Sequence, residues 1–171
     1  MNKTPHNFVR AHFFRRLAAI IYDLLVAVAI GMCAAIVITV FFTLLYENGV
    51  LDKNGIEHVS DVLQESKLFQ FSLQFWVSAW VMGFFLWFWR NGGQTIGMRA
   101  WRLRMFSTND KPFGYGRALL RLIFSLGGLG TLLVLIDWKS KLALQDRVSH
   151  TEILVLSKEE NHHAAWKDLQ D

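Results

Sequence analysis

The stretch that decides the fold runs from Leu24 to Tyr46 and reads LLVAVAIGMCAAIVITVFFTLLY, 23 residues without a charge. A second uncharged stretch of 22 residues runs from Leu68 to Trp89. A helix rises about 1.5 Å per residue, so about 20 apolar residues cross a hydrocarbon core about 30 Å thick. The two stretches therefore predict an all-α integral membrane protein with transmembrane helices at about 17–46 and 68–89.

The charges around these spans predict their orientation. Residues 1–16 have a local charge of +4 and residues 90–121 a charge of +6, whereas the loop 47–67 has a charge of −3. Loops rich in Lys and Arg stay on the cytoplasmic side of a membrane. We therefore expect a cytoplasmic N-terminus, an outer loop at 47–67 and a cytoplasmic segment at 90–121.

A third apolar stretch, Leu122 to Ile136, has only 15 uncharged residues. As a helix it is about 22 Å long, which is short of the bilayer core. Its middle contains glycines, which weaken a helix and favour a turn: Gly127, Gly128 and Gly130. A full span would also place the basic residues of 139–147 outside, against the positive-inside rule. We therefore favour a re-entrant or interfacial helical hairpin at about 115–138, with a third transmembrane helix as the alternative.

Two short segments predict a cytoplasmic β pair. Residues 100–106 alternate between apolar and charged side chains, the period of a half-buried strand, and Thr151–Leu156 has the composition of a strand. If the third stretch is a hairpin, both segments lie on the same side of the membrane and are free to pair. The alternative is that 100–106 is a basic interfacial linker.

Asp23 interrupts the apolar run that begins at Leu17. A carboxylate within a span is costly, and it usually faces the protein interior or a wet cavity. Arg16 lies two helical turns earlier near the same face, which continues with small residues that let another helix approach closely. Two readings remain open: an ion or proton site, or a structural ion pair with an arginine of the hairpin such as Arg121.

Other candidate sites are few. Gln70 and Gln74 share a face of the second span, and we expect them to hydrogen-bond between helices rather than to contact a ligand. The sequence has no phosphate loop, zinc-protease helix or nucleophile elbow, so we expect no enzyme activity, metal site or cofactor. With 53% hydrophobic and 19% charged residues, and with its basic residues beside the spans, the chain is neither a soluble enzyme nor a nucleic-acid-binding domain. Its single cysteine, Cys33, excludes an intrachain disulfide.

Four segments, in order, resemble the RDD family of membrane proteins, which is named for one arginine and two aspartates. They are RLAAIIYD at 16–23, GQTIGMR at 93–99, Arg121 at the start of the third apolar stretch, and LQDRVSHT at 144–151. Met98 stands where the family usually has lysine, and Gln145 where it has histidine. The resemblance runs from about Phe14 to Leu156. It implies a membrane domain at 14–156 between a cytoplasmic segment at 1–13 and a polar tail at 157–171.

The resemblance also implies a location and a set of polar residues. The family is mainly bacterial, so we expect a multi-pass protein of the bacterial inner membrane. The implied functional or structural site comprises Arg16, Asp23, Arg121 and Asp146, with Gln94 as a secondary member beside the two span glutamines.

The resemblance permits transport, and we expect transport of protons, monovalent cations or a small ligand with Asp23 as the intramembrane polar site. Two spans and a hairpin do not readily enclose a pathway, so this function requires a homo-oligomer. The alternative is a non-catalytic assembly or accessory subunit, in which Asp23 makes a structural ion pair. The expected partners are membrane lipids and either further copies or another membrane protein, and not nucleic acid.

Overall fold

The computed structural model describes residues 8–53, 55–109, 113–137 and 139–161, and these residues are mostly helical. The predictions for residues 1–7, for position 138 of the hairpin and for residues 162–171 of the tail lie outside the described residues. The helices are α1 (Phe13–Glu47), α2 (Val59–Glu65), α3 (Lys67–Gly92), α4 (Ile96–Ala100), α5 (Tyr115–Ser125), α6 (Leu133–Ile136) and α7 (Leu144–Ser149). A 3-10 helix, Leu126–Leu132, joins α5 to α6, and the strands are β1 (Val9–Arg10), β2 (Leu103–Ser107) and β3 (Thr151–Val155).

Within the described residues, three helical segments are long and apolar enough to cross a membrane: α1, α3 and Tyr115–Ile136. The predicted spans at 17–46 and 68–89 fall inside α1 and α3. Helix α1 begins four residues earlier than predicted. Its first turn is charged, but the turn is helical because Arg16 there forms buried hydrogen bonds. The chain is therefore a membrane protein with three apolar helical segments.

The third segment is broken at its glycines. Gly127 and Gly128 have φ angles of 65° and 105°, a conformation that glycine adopts without steric cost. A Cβ atom at Gly130 would lie 2.5 Å from the carbonyl oxygen of Phe124. In a continuous helix two residues that are six positions apart are separated by about 9 Å along the axis. The chain therefore turns back between α5 and α6.

Both ends of this segment are held by the short helix α7. The Nε of Arg117, near the start of α5, donates to the carbonyl oxygen of Ser149 over 2.9 Å. The carboxylate of Asp137, just after α6, accepts a hydrogen bond from the guanidinium of Arg147. A straight helix of 22 residues would separate its ends by about 33 Å, whereas a six-residue helix is only about 9 Å long. So short a helix could not contact both ends of a straight segment, and the segment is therefore folded back on itself. We call Tyr115–Ile136 the hairpin.

The predicted strand pair is present within a three-stranded sheet of the order β1-β3-β2. Strand β3 is antiparallel to both neighbours, with Arg104 and Val9 opposite Leu154 and Val155, respectively. Strand β1 was not predicted, since two residues are too few to show an alternating pattern. The pairing brings the segment before α1 into the same sheet as the segments after α3 and α7.

The chain divides into two compact units. The first unit combines Met1–Val26 with Phe85–Asp171. It contains the sheet, the hairpin, α4 and α7. Its core is made of buried apolar side chains from several of these elements: Ala11, Ala19, Trp89, Met98, Leu103, Met105, Ala118 and Ile153.

The second unit, Ala27–Phe84, contains the longer parts of α1 and α3 and the loop between them. Gly31 of α1 faces α3, because a Cβ atom there would lie 3.5 Å from a methyl group of Val77. Nearer the loop, the rings of Phe42 and Phe69 pack edge to face at 5.4 Å. This close approach agrees with the small-residue face expected on α1.

Candidate functional site

Asp146 lies between two arginines in the first unit. Its Oδ2 accepts a hydrogen bond from Nη1 of Arg16 at 2.5 Å, and its Oδ1 accepts one from Nη1 of Arg121 at 2.7 Å. All three side chains are almost fully buried, at 0 to 3% exposure. We call Arg16, Asp146 and Arg121 the ion cluster.

The cluster joins four elements through its remaining hydrogen bonds. Arg16 comes from the first turn of α1, and its Nε and Nη2 donate to the carbonyl oxygens of Ala11 and Lys141. Arg121 comes from α5, and its Nη1 also donates to Thr151 Oγ1, at the start of β3. Asp146 belongs to the first turn of α7, where its Oδ2 accepts a hydrogen bond from the backbone N–H of Ala143. The cluster thus fixes α7 against α1, α5 and the sheet.

The surroundings of Asp146 decide its protonation. Burial acts to raise its pKa, but the charges of Arg121 and Arg16 and their hydrogen bonds hold the pKa below its usual value. A carboxyl with a lowered pKa stabilises the folded state at pH values above its unfolded pKa of about 3.9. This contribution is lost as the pH falls through the lowered folded-state pKa.

Asp23 has a different environment. Its Oδ2 accepts a hydrogen bond from the hydroxyl of Thr95 at 2.5 Å, and its Oδ1 accepts one from the backbone N–H of Gly97 at 2.8 Å. Thr95 is the N-cap of α4, and its Oγ1 accepts a hydrogen bond from the N–H of Met98. Asp23 therefore holds the start of α4 against α1.

The expected pairing of Asp23 with Arg121 is wrong. Arg121 binds Asp146, because α7 brings a carboxylate directly onto α5, whereas Asp23 is reached by the segment that follows α3. Among the described residues Asp23 forms no ion pair. Arg16 and Asp23 share one side of α1, as expected, but Arg16 belongs to the ion cluster, whereas Asp23 binds Thr95 and Gly97.

The three glutamines have different surroundings. Gln70 is exposed, and its Nε2 donates to the carbonyl oxygen of Gln64 in α2. Gln74 is exposed on α3. Gln94 is buried, and its Nε2 donates to the carbonyl oxygen of Leu103 at 2.8 Å, which ties the end of α3 to β2.

Sequence reasoning missed the roles of Thr95 and Gly97. Threonine directly before a helix is a common N-cap, so the cap of α4 was recognisable. A Cβ atom at Gly97 would lie 2.8 Å from the carboxyl carbon of Asp23 and would collide with the carbonyl oxygen of Ala19. Only glycine lets α4 approach α1 this closely, and nothing in the spacing of the sequence indicates which helix it approaches.

The chemical capacity of the two sites follows from their charges. Asp146 is neutralised by arginines, whereas Asp23 is bound by a hydroxyl and an amide, neither of which has a charge. Such a carboxylate is able to take up a proton or a small cation. No group of three or more His, Cys, Asp or Glu side chains suitable for a metal occurs in the part of the chain that the structure describes.

Comparison with known proteins adds one match. The model of the RDD family matches residues 10–150. No curated protein and no solved structure shows a significant match to the chain. The matched range contains Asp23 and all three residues of the ion cluster. Because the match covers most of the sequence and both sites, the chain belongs to the RDD family.

Proposed function

We propose that this chain is one subunit of an oligomeric membrane transporter of protons or monovalent cations, in which Asp23 binds the transported ion. The observation that carries the proposal is the contrast between the two buried aspartates. Asp146 has two arginines, whereas the partners of Asp23 among the described residues are the uncharged donors of Thr95 and Gly97. An unpaired buried carboxylate is costly, and binding a proton or a cation removes this cost.

The test is ion flux into proteoliposomes that contain the full chain. Asp23→Asn keeps the shape of the side chain and removes its charge, so we expect loss of pH-driven uptake of H⁺, Na⁺ or K⁺. Asp61→Asn, an exposed aspartate of α2, is the matched control and should keep wild-type flux. Equal flux in the wild type and Asp23→Asn would overturn the proposal, as would the absence of flux of all three ions in the wild type.

The second candidate function is that of an assembly or accessory subunit, favoured by the connections within the first unit. The ion cluster and the sheet join the segments before α1 and after α3 into one body, which suits docking of another membrane protein. In this case Asp23 serves only to hold α4. Thr95→Val removes the shorter hydrogen bond to Asp23 without removing a charge. A structural role predicts similar destabilisation by Thr95→Val and Asp23→Asn with no effect on flux, whereas transport predicts that Thr95→Val keeps flux and alters its pH dependence.

The proposed topology has two crossings, by α1 and α3, with the sheet on the cytoplasmic side of a bacterial inner membrane. Two observations support it. Strands β2 and β3 belong to one sheet, and between them the described residues contain one candidate span, the hairpin. A single crossing would put the two paired strands on opposite sides of the membrane, so in the proposed topology the hairpin begins and ends on the same side. The basic segments at 1–16 and 90–121 support the cytoplasm as that side, because loops rich in Lys and Arg stay cytoplasmic.

A further inference from the structure

The hairpin leaves a set of large apolar side chains exposed in the described part of the chain. Its charged side chains, Arg117 and Arg121, face α7 and β3. Its large apolar side chains are exposed: Leu119, Leu120, Ile123, Leu126, Leu129, Leu132, Leu135 and Ile136. A helix with one apolar exposed face and one polar face is typical of an element that lies in a membrane interface. We call this surface the apolar face of the hairpin.

A basic side chain lies at the beginning of this face. The guanidinium carbon of Arg90, at the end of α3, lies 4.2 Å from the ring centroid of Tyr115, the first residue of α5. Stacking on an aromatic ring holds a guanidinium in place while its N–H groups remain available. Arg90 is exposed and forms no ion pair within the described residues. Its planar donor set is suited to phosphate.

The first unit carries other residues typical of the membrane boundary. Tyr22, Trp87, Trp101 and Tyr115 all have substantially exposed rings. Amphipathic rings of this kind collect at headgroup level. The apolar face therefore begins at a residue that suits the interface rather than the centre of the bilayer.

The depth of the hairpin can be measured along α1. The turn at Gly128 approaches Ile20, because a Cβ atom there would lie 3.5 Å from Cγ2 of that residue. Ile20 lies four residues, or about 6 Å of helix, before the uncharged stretch that begins at Leu24. The turn thus lies at the inner edge of the core, and the hairpin runs along the boundary rather than through the membrane.

We propose that the hairpin binds the anionic phospholipids of the inner leaflet, with its apolar face among the acyl chains and Arg90, stacked on Tyr115, on a headgroup phosphate. The proposal rests on the cytoplasmic placement of the hairpin given above and does not depend on ion transport by Asp23.

The basic side chains near the apolar face favour anionic lipid, rather than a second copy of the chain, as the partner that covers this face. Arg90 stacks on Tyr115, the first residue of the hairpin, and the exposed Lys139 follows Ile136, its last residue. Two copies that met through this face with the ends of their hairpins side by side would bring like charges together. An anionic lipid surface instead attracts each basic side chain near it by about 1 kcal/mol, which corresponds to about fivefold in binding.

The test measures the melting temperature of the full chain in detergent while phosphatidylglycerol or phosphatidylcholine is added. A lipid that binds the folded state raises the melting temperature. We expect phosphatidylglycerol to stabilise the wild type more than phosphatidylcholine, and Arg90→Gln to need about fivefold more phosphatidylglycerol for the same shift. Lys158→Gln removes an exposed charge from the polar tail and should match the wild type. Equal effects of the two lipids on the wild type, or equal losses in both variants, would overturn the proposal.

Two further measurements keep the test independent of the folding of Arg90→Gln. In the wild type, raising the salt from 0.1 M to 1 M shortens the Debye length from about 10 Å to about 3 Å, so the preference for phosphatidylglycerol should fall. A preference unchanged by salt contradicts the proposal. In a Cys33→Ala background, Ile123→Cys should form no disulfide between two chains under oxidation in bilayers. An efficient disulfide between two chains would show that a second copy covers the face and would overturn the assignment to lipid.

Discussion

At the scale of single residues, Asp146 and Asp23 should respond differently to the loss of a carboxylate. Asp146→Asn leaves two buried arginines without their counter-charge, and breaking such a pair costs about 3–5 kcal/mol. Asp23→Asn removes no ion pair among the described residues, so its cost should be that of weakened hydrogen bonds, about 1–3 kcal/mol. Denaturant unfolding of both variants in detergent measures the difference.

A double-mutant cycle identifies the partner of Arg121. Asp146→Asn and Arg121→Met should couple by 1 kcal/mol or more, about what is measured for side chains in direct contact. Asp23→Asn and Arg121→Met should add within about 0.5 kcal/mol. The reverse pattern would restore the pairing of Asp23 with Arg121.

The sequence and the family resemblance named Arg16, Asp23, Arg121 and Asp146 as candidates, but they did not give the pairing. Helical periodicity places Arg16 and Asp23 on one side of α1, and both side chains are buried in the first unit. Periodicity does not say which later segment returns to each of them. Asp146 lies on a six-residue helix with no recognisable period, so its approach to α5 depends on tertiary packing alone.

At the scale of elements, the contact between α4 and α1 should tolerate no side chain at Gly97. Gly97→Ala introduces a Cβ atom against the backbone of Ala19 and the carboxyl group of Asp23, neither of which is free to move away. We expect a loss of several kcal/mol in unfolding free energy, as is found for overpacking and broken buried hydrogen bonds.

Gly116→Ala is the matched control for that substitution. Gly116 lies in the first turn of α5, and a Cβ atom there would meet nothing within 4 Å. Because alanine is the better helix former, by up to about 1 kcal/mol, this variant should be neutral or more stable. Unfolding of both variants in detergent gives the comparison, and equal stability of the two would show that α4 does not pack on α1 as described.

The elements differ in how far the sequence could predict them. The spans follow from length and hydropathy, and the turn of the third stretch follows from its glycines. Strand β2 shows alternation and was predicted as part of a β pair with β3. Strand β1 has only Val9 and Arg10, and it exists because the backbone of β3 offers a free edge.

At the scale of the whole molecule, the proposed topology predicts which positions react from outside the cell. Ser60 and Ser157 are both exposed, and each is changed to cysteine in a Cys33→Ala background. An impermeant maleimide added to intact cells should label Ser60→Cys, whereas Ser157→Cys should react only after the membrane is opened. Labelling of Ser157→Cys in intact cells would require a third crossing by the hairpin.

The position of β3 in the sheet has a consequence for synthesis. Strand β3 is the central strand of the sheet, although it is synthesised after β1 and β2. Arg16 cannot form its ion pair until Asp146, 130 residues further along the chain, has been synthesised. At about 5–20 residues per second a ribosome takes about 7 to 26 s to cover that distance. During this time the spans are free to enter the membrane while Arg16 has no counter-ion, and Arg121 waits for the same carboxylate over the last 25 residues. A chain that stops before residue 146 therefore lacks the carboxylate that pairs with both Arg16 and Arg121 in the folded protein.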